Sequence, residues 1–201
     1  MYSAVESYNT QKAHRFTMWL AIVSICMAFA GLTSAYIVRK GAGNWVDFSM
    51  PASFFTSTVL ILISSATIHV AHVSNKKGHV AMTVLGLLVT MVLGLLFCFY
   101  QLQGWQELTN AGIYLDGNPS GSFFYVITGM HAVHLAGGVF FLLIALLRSA
   151  WVFGIKKRKT TLIEGGKGGL LVRTDLLSMY WHFMDILWIY LFVFLFINLN
   201  H

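Results

Sequence analysis

Charge is scarce in this chain of 201 residues: Lys, Arg, Asp and Glu together make up 10% of it, while hydrophobic residues make up 57%. With a mean hydropathy of +0.72, that balance excludes an ordinary soluble domain and points to an integral membrane protein. Cysteine is scarcer still, with Cys26 and Cys98 alone in different apolar stretches, which excludes a disulfide framework and a thiolate metal site and leaves two buried, inert thiols as the expectation. No glycine-rich phosphate loop follows a strand, no Ser-His-Asp order suggests acyl transfer, and no carboxylate pair is spaced for acid–base hydrolysis, so no catalytic residue is assigned.

Long apolar runs are abundant. Crossing hydrocarbon of about 30 Å takes about 20 helical residues, and five stretches reach that length: Phe16 to Val38, Ala52 to Val73, Val80 to Gln103, Ser122 to Leu147 and Leu177 to Leu199. Because hydrocarbon offers backbone amides no water, spanning segments are helices or closed barrels, and these runs lack the alternation of barrel strands. The fold class read from the sequence is all-α, one transmembrane domain over residues 1–201 built as a bundle of five helices. The first span is too long for a signal-peptide core and lacks a cleavage site of small residues, so it is expected to remain in the mature chain.

The net charge of +6 follows from thirteen basic residues against seven acidic ones. With the amino terminus inside, eleven of the thirteen fall on the inner side, among them Lys12, Arg15, Lys76, Lys77 and Arg148, and Arg39 and Lys40 fall outside. The positive-inside rule therefore predicts an inner amino terminus and an outer carboxyl terminus. Basic residues so close to spans serve topology and anionic lipid, not nucleic acid. The connector from Arg148 to Arg173, with Lys156–Lys159 and the Gly165–Gly169 run around Lys167, reads as a flexible loop facing lipid headgroups.

Small residues recur at helical spacing, at Ala28, Gly31 and Ala35, at Gly86, Thr90 and Gly94, and at Gly129, Ala132 and Ala136. Such stripes predict close helix–helix contact. Trp19, Trp45, Trp105, Trp151 and Trp181 lie near span boundaries, where an aromatic belt is expected, and Trp188 lies deeper, where it is expected to face another helix.

Against this background the polar residues inside the spans stand out. His69/His72 and His131/His134 are i,i+3 pairs, and His182/Asp185 repeats the spacing in the last span. A carboxylate at Asp185 needs a partner, for which His182, His131, His134 and Tyr180 are the candidates; structural glue between helices and proton conduction are the two readings. Facing histidines can ligate haem, but three or four convergent ligands for copper or zinc are missing, so no metal site is assigned.

Two motifs carry a family resemblance: Tyr180-Trp181-His182-Phe183-Met184-Asp185-Ile186-Leu187-Trp188, and Thr128-Gly129-Met130-His131-Ala132-Val133-His134 within the run from Phe123. Weaker matches are Met18-Trp19-Leu20 through Ser34-Ala35-Tyr36, Ser64-Ser65-Ala66-Thr67, and Gln101 with Trp105. From about Lys12 to its end the chain resembles subunit III of the haem-copper terminal oxidases, in the five-helix bacterial form. The resemblance implies an accessory subunit of a multi-pass bacterial cell-membrane complex that reduces oxygen to water and pumps protons. It implies haem and copper in partner subunits and none in this chain, contact with subunit I, subunit II and other respiratory subunits as further partners, bound phospholipid, and support of proton uptake. By the same resemblance Arg148 meets a lipid headgroup; with it His131, His134, Trp181 and His182 are assigned to lipid binding, and Asp185, Tyr180, His69 and His72, as intramembrane polar residues, to a structural set. Two positions depart from the family pattern: Ile25 follows Ser24 where a glutamate is common, and Gly104 precedes Trp105 where a glutamate is frequent. An autonomous small transporter or channel is the alternative reading, although no inverted repeat accompanies it.

Overall fold

In a computed structural model, the described residues, 2–158 and 167–199, form five helices joined by short connections, and no strand occurs among them. They are α1 (Tyr2–Gly41), α2 (Ala52–Lys76), α3 (Val80–Asn110), α4 (Pro119–Arg158) and α5 (Lys167–Leu199). Each contains a stretch long and apolar enough to cross a bilayer: Lys12–Gly41, Ala52–Lys76, Val80–Asn110, Pro119–Trp151 and Thr174–Leu199. The expected loop from Arg148 to Arg173 is thereby corrected. Helix α4 runs on through Lys156, Lys157 and Arg158, where no glycine or proline follows Gly154 to break it, and α5 already begins at Lys167, taking in Gly168 and Gly169. Lys159, Gly165 and Gly166 lie outside the described residues.

Local sequence places the turns. The two prolines stand at helix starts, Pro51 before α2 and Pro119 as the first residue of α4, where a missing N–H costs nothing. Gly78 and Gly112 take positive φ (76° and 80°) directly after α2 and α3, a conformation that reverses the chain at little steric cost to glycine. At the end of α1 the side chain of Arg39 donates to the Gly43 carbonyl oxygen, and Lys40 Nζ donates to the carbonyl oxygen of Asn198 near the end of α5, a cation at a helix carboxyl end.

Helices α2, α3, α4 and α5 form a square in which each packs backbone-close against its two neighbours, and α1 leans on the α4–α5 edge. Small residues set the approach. A Cβ on Gly86 would meet Ala71 Cβ at 2.8 Å, one on Gly94 would meet the Trp181 ring at 2.9 Å, and Gly104 lies directly under the Phe54 ring. The stripe of α1 departs from expectation: Ala28, Gly31 and Ala35 are exposed, with nothing within 4 Å of where a Gly31 Cβ would sit. Ala136 is exposed as well. Cys26 is also exposed rather than buried, because α1 turns this face away from the square.

The centre of the square is aromatic. Trp188 is fully buried, stacks on Phe54 at 5.9 Å between ring centroids, and meets Phe97 edge-on at 5.0 Å. Trp181 is equally enclosed, which corrects its place in the interfacial belt: helix phase turns it inward toward Gly94. Trp105 also points inward, donating through Nε1 to Thr128 Oγ1 at 3.1 Å.

Candidate functional site

Helix α2 supplies a ladder of hydroxyls, each donating to a carbonyl oxygen of its own helix and thereby free to accept from a neighbour. Ser57 donates to the Phe54 carbonyl and accepts from Gln101 Nε2 at 3.0 Å. Thr58 donates to the same carbonyl and accepts from Trp188 Nε1 at 3.0 Å, and Ser64 donates to the Ile61 carbonyl and accepts from Trp181 Nε1 at 3.0 Å. The two tryptophans of the last-span motif are thus anchored one helical turn pair apart on a single neighbouring helix. Such bonds average about 0.6 kcal/mol each in membrane bundles, so their value here lies in fixing register.

Ser65, adjacent to this ladder, points elsewhere. Its Oγ lies 2.7 Å from His182 Nδ1, and the same nitrogen lies 4.0 Å from Asp185 Oδ2. Asp185 is 2% exposed, with Ser65 and His182 as its polar neighbours. Of the expected partners, His182 alone is near. Tyr180 instead donates to the backbone carbonyl oxygen of His134 at 2.8 Å, clamping α5 to α4.

Toward the basic end of the bundle, α1, α2 and α5 part to leave a cavity of about 330 Å³ lined by Arg15, Trp19, His69, His72, Asp175, Ser178, Met179 and His182. Arg15 pairs with Asp175 across its mouth, and His72 Nε2 lies 3.6 Å from the other carboxylate oxygen of Asp175. The His69 and His182 rings face each other at 6.1 Å. Sequence reasoning singled out the histidines but missed Arg15, Ser65, Asp175 and Ser178 as their companions. A signal was present, since Asp175, Ser178, His182 and Asp185 fall at helical spacing on one face of α5, and Ser65, His69 and His72 do so on α2.

The α4 pair lies apart from this cavity. His131 is 1% exposed, neither ring nitrogen has a partner, and its ring is walled by Phe29 at 6.5 Å, Phe97 at 6.0 Å and Trp188 at 4.9 Å. His134 is half-buried, its Nδ1 2.7 Å from the Met130 carbonyl oxygen and its ring against Phe29. His131 and Trp181, both expected to touch lipid, are enclosed inside the square. Arg148 is exposed on α4 and free to meet a headgroup. Among the described residues no group of three or more His, Cys, Asp or Glu side chains is arranged to hold a metal.

The two tryptophan anchors and the two histidine motifs lie in the region that matches a known family. Residues 2–199 match the family described as cytochrome c oxidase subunit III. The chain belongs to that family. Among curated relatives it is 28% identical over 181 residues to the cytochrome bo(3) ubiquinol oxidase subunit 3 of Pseudomonas aeruginosa, covering 88% of this chain and 81% of that one. It is 27% identical over 180 residues to the probable cytochrome c oxidase subunit 3 of Mycobacterium tuberculosis, covering 87% and 82%, and 29% identical over 181 residues to that of Nocardia farcinica, with the same coverage. Within subunit III terms, one of the two missing glutamates has a structural counterpart: Gly104 is where Phe54 lies on α3, so a larger residue there requires Phe54 to move. Ile25 packs half-buried against the core, an apolar filling where a carboxylate is common in the resemblance.

Proposed function

We propose that the chain is the accessory subunit III of a proton-pumping haem-copper terminal oxidase in a bacterial cell membrane, taking no part in redox turnover itself. It packs directly on subunit I, with subunit II and further respiratory subunits in the same assembly, and the haem and copper belong to those partners. The observation that carries this reading is the family match running through all five helices, in a bundle whose buried hydroxyls and indoles bond helix to helix. Large apolar side chains such as Met27, Val133 and Ile186 face outward, as befits a subunit embedded among lipid and neighbouring helices.

The amino terminus lies on the inner side. In support, Lys76, Lys77 and Arg148 are exposed at the end of the bundle that also carries Arg15, whereas Arg39 and Lys40 at the opposite end are engaged by carbonyl oxygens. Arg148 holds a phospholipid headgroup by a bidentate guanidinium–phosphate contact. His134 and His182, both half-buried, line the flanking helix junctions, and Tyr180, Asp185, His69 and His72 serve cohesion between helices and the support of proton uptake.

Purification in mild detergent tests the reading: the chain is expected to come away with a large partner and a visible haem spectrum. Isolation as a solitary unit that carries solute or proton flux after reconstitution overturns it in favour of an autonomous transporter. Arg148→Ala is expected to deplete retained phospholipid, as read by mass spectrometry of the complex. Asp185→Ala is expected to shorten turnover life or loosen the subunit more than it lowers initial oxygen consumption.

A further inference from the structure

Helix α1 is secured unevenly along its length. In its carboxyl-terminal half Phe29, Thr33 and Tyr36 are buried. The Phe29 ring lies against His134 at 5.9 Å, Thr33 Oγ1 lies 3.1 Å from the Tyr190 hydroxyl, and the Tyr36 ring is wedged among Trp45, Phe123 and Phe194 at 4.7, 5.9 and 5.3 Å. In the stretch from Lys12 to Ala28, Ile22 is the one buried side chain, and Phe16, Trp19, Leu20 and Val23 are each more than half exposed. Among the described residues α1 makes no backbone-close approach to α2 or α3. The cavity lies there instead, with Arg15 and Trp19 as its α1 wall.

Across the mouth of that cavity the tie between helices is ionic. Arg15 pairs with Asp175 of α5, and the α5 side of the pair is anchored on α2: His72 Nε2 lies 3.6 Å from the Asp175 carboxylate, and Thr174 accepts from Asn75 Nδ2 at 2.7 Å. The α1 side is less constrained, since the Arg15 side chain is 63% exposed. Elements with few buried contacts are the ones that open at low cost.

We propose that the amino-terminal half of α1 is a hinged strap: latched to α5 by the Arg15–Asp175 pair, it swings away about the Phe29–Tyr36 segment and opens the cavity sideways between α1 and α2. Arg15 lies fourteen residues, and therefore about 21 Å, from Phe29 along the helix, so a tilt of about 10° carries it about 4 Å and parts the ion pair. The fulcrum stays in place because its contacts are packed rings, whereas the latch is an ion pair at the rim, of the kind that contributes little and weakens with salt. Closed, Arg15 and Trp19 cover the cavity. Open, its histidines and Ser178 face the groove left between α1 and α2. The strap concerns this chain alone and stands whether or not the assembly reading does.

Double electron–electron resonance tests the strap, on the full chain purified with the partners that mild detergent retains and with Cys26 and Cys98 replaced by Ser. Spin labels at Phe16→Cys and His79→Cys report the latched end, and labels at Val38→Cys and Leu115→Cys report the fulcrum; all four positions are exposed. With the latch unaltered, a main distance and a minor longer one are expected at the latched end. Asp175→Asn is expected to raise the longer population about threefold to fivefold, the range that loss of a rim ion pair gives, and raised salt on the unaltered latch is expected to act in the same direction. Exchanging the charges, Arg15→Asp with Asp175→Arg, is expected to restore the original proportions, and the fulcrum distance is expected to stay constant throughout. A latched-end distribution that neither Asp175→Asn nor salt changes, an exchanged pair that behaves like Asp175→Asn, or a fulcrum distance that moves with the latched end overturns the strap. Should the exchanged pair fail to assemble, Asp175→Asn, which keeps the side-chain shape, and the salt titration decide the matter. None of these outcomes touches copurification with an oxidase, so failure here and failure of the assembly reading are separable.

Discussion

The His131/His134 motif of α4 and the His182/Asp185 motif of α5 share one spacing and opposite surroundings. The α4 imidazole that points inward meets Phe29, Phe97 and Trp188 and bonds to nothing, whereas the α5 imidazole meets a serine, a carboxyl and a polar cavity. What separates them is the helix each one faces. The α2 helix offers hydroxyls and two histidines toward α5, while α4 turns His131 into the aromatic centre where α3, α5 and α1 converge. A polar residue in a membrane bundle is therefore read by its neighbours across the interface, and the same motif spacing is aromatic packing in one place and the wall of a polar cavity in another.

The comparison can be broken first at the wall the dry region depends on. Trp188→Ala removes the ring that touches Phe54, Phe97 and His131, and is expected to cost about 3–5 kcal/mol in a reversible unfolding titration in mixed micelles. A loss well under that range means the aromatic centre is not close-packed. Next in size, His131→Lys places an uncompensated cation among aromatic rings and is expected to cost about 3 kcal/mol by the same titration. His131→Leu sharpens the point with the opposite sign: removing two ring nitrogens that have no partners is expected to leave stability unchanged or slightly raised.

Trp181→Phe deletes the indole N–H bonded to Ser64 while keeping most of the ring over Gly94, and about 1 kcal/mol is expected to be lost. A small loss belongs to the rim of the polar cavity. Arg15→Ala breaks a pair with Asp175 whose arginine is largely exposed, and less than about 1 kcal/mol is expected to go, a difference that added salt should erase. A large loss at Arg15 would place the rim of the cavity, rather than its aromatic neighbour, at the centre of stability.

Much of this was legible beforehand, and what was not has a common cause. Helix existence followed from the length of the apolar runs, and the depth of Trp188 followed from its distance to the span ends. The misreadings concern facing. The position of Trp181 along the chain puts it at the interface, yet the rotation of α5 sends it to Gly94. Residue type puts Cys26 inside, yet α1 turns it out, together with Ala28, Gly31 and Ala35. The histidines were found from spacing, but Arg15 and Asp175 come from helices far apart in sequence, and no local pattern joins them.

By itself the sequence determined that the chain crosses a membrane five times as helices, that its motifs are those of an oxidase subunit III, and which residues share a helix face. Those are consequences of local length, residue type and a repeat of 3.6 residues per turn. The tertiary structure alone decided which face is turned outward and which meets protein, and so which histidine is sealed among rings and which borders the cavity at the Arg15 end. The physical reason is that lipid tails are as apolar as leucine: in a bilayer the hydrophobic pattern carries little record of inside and outside, and only the packing of one helix on another supplies it.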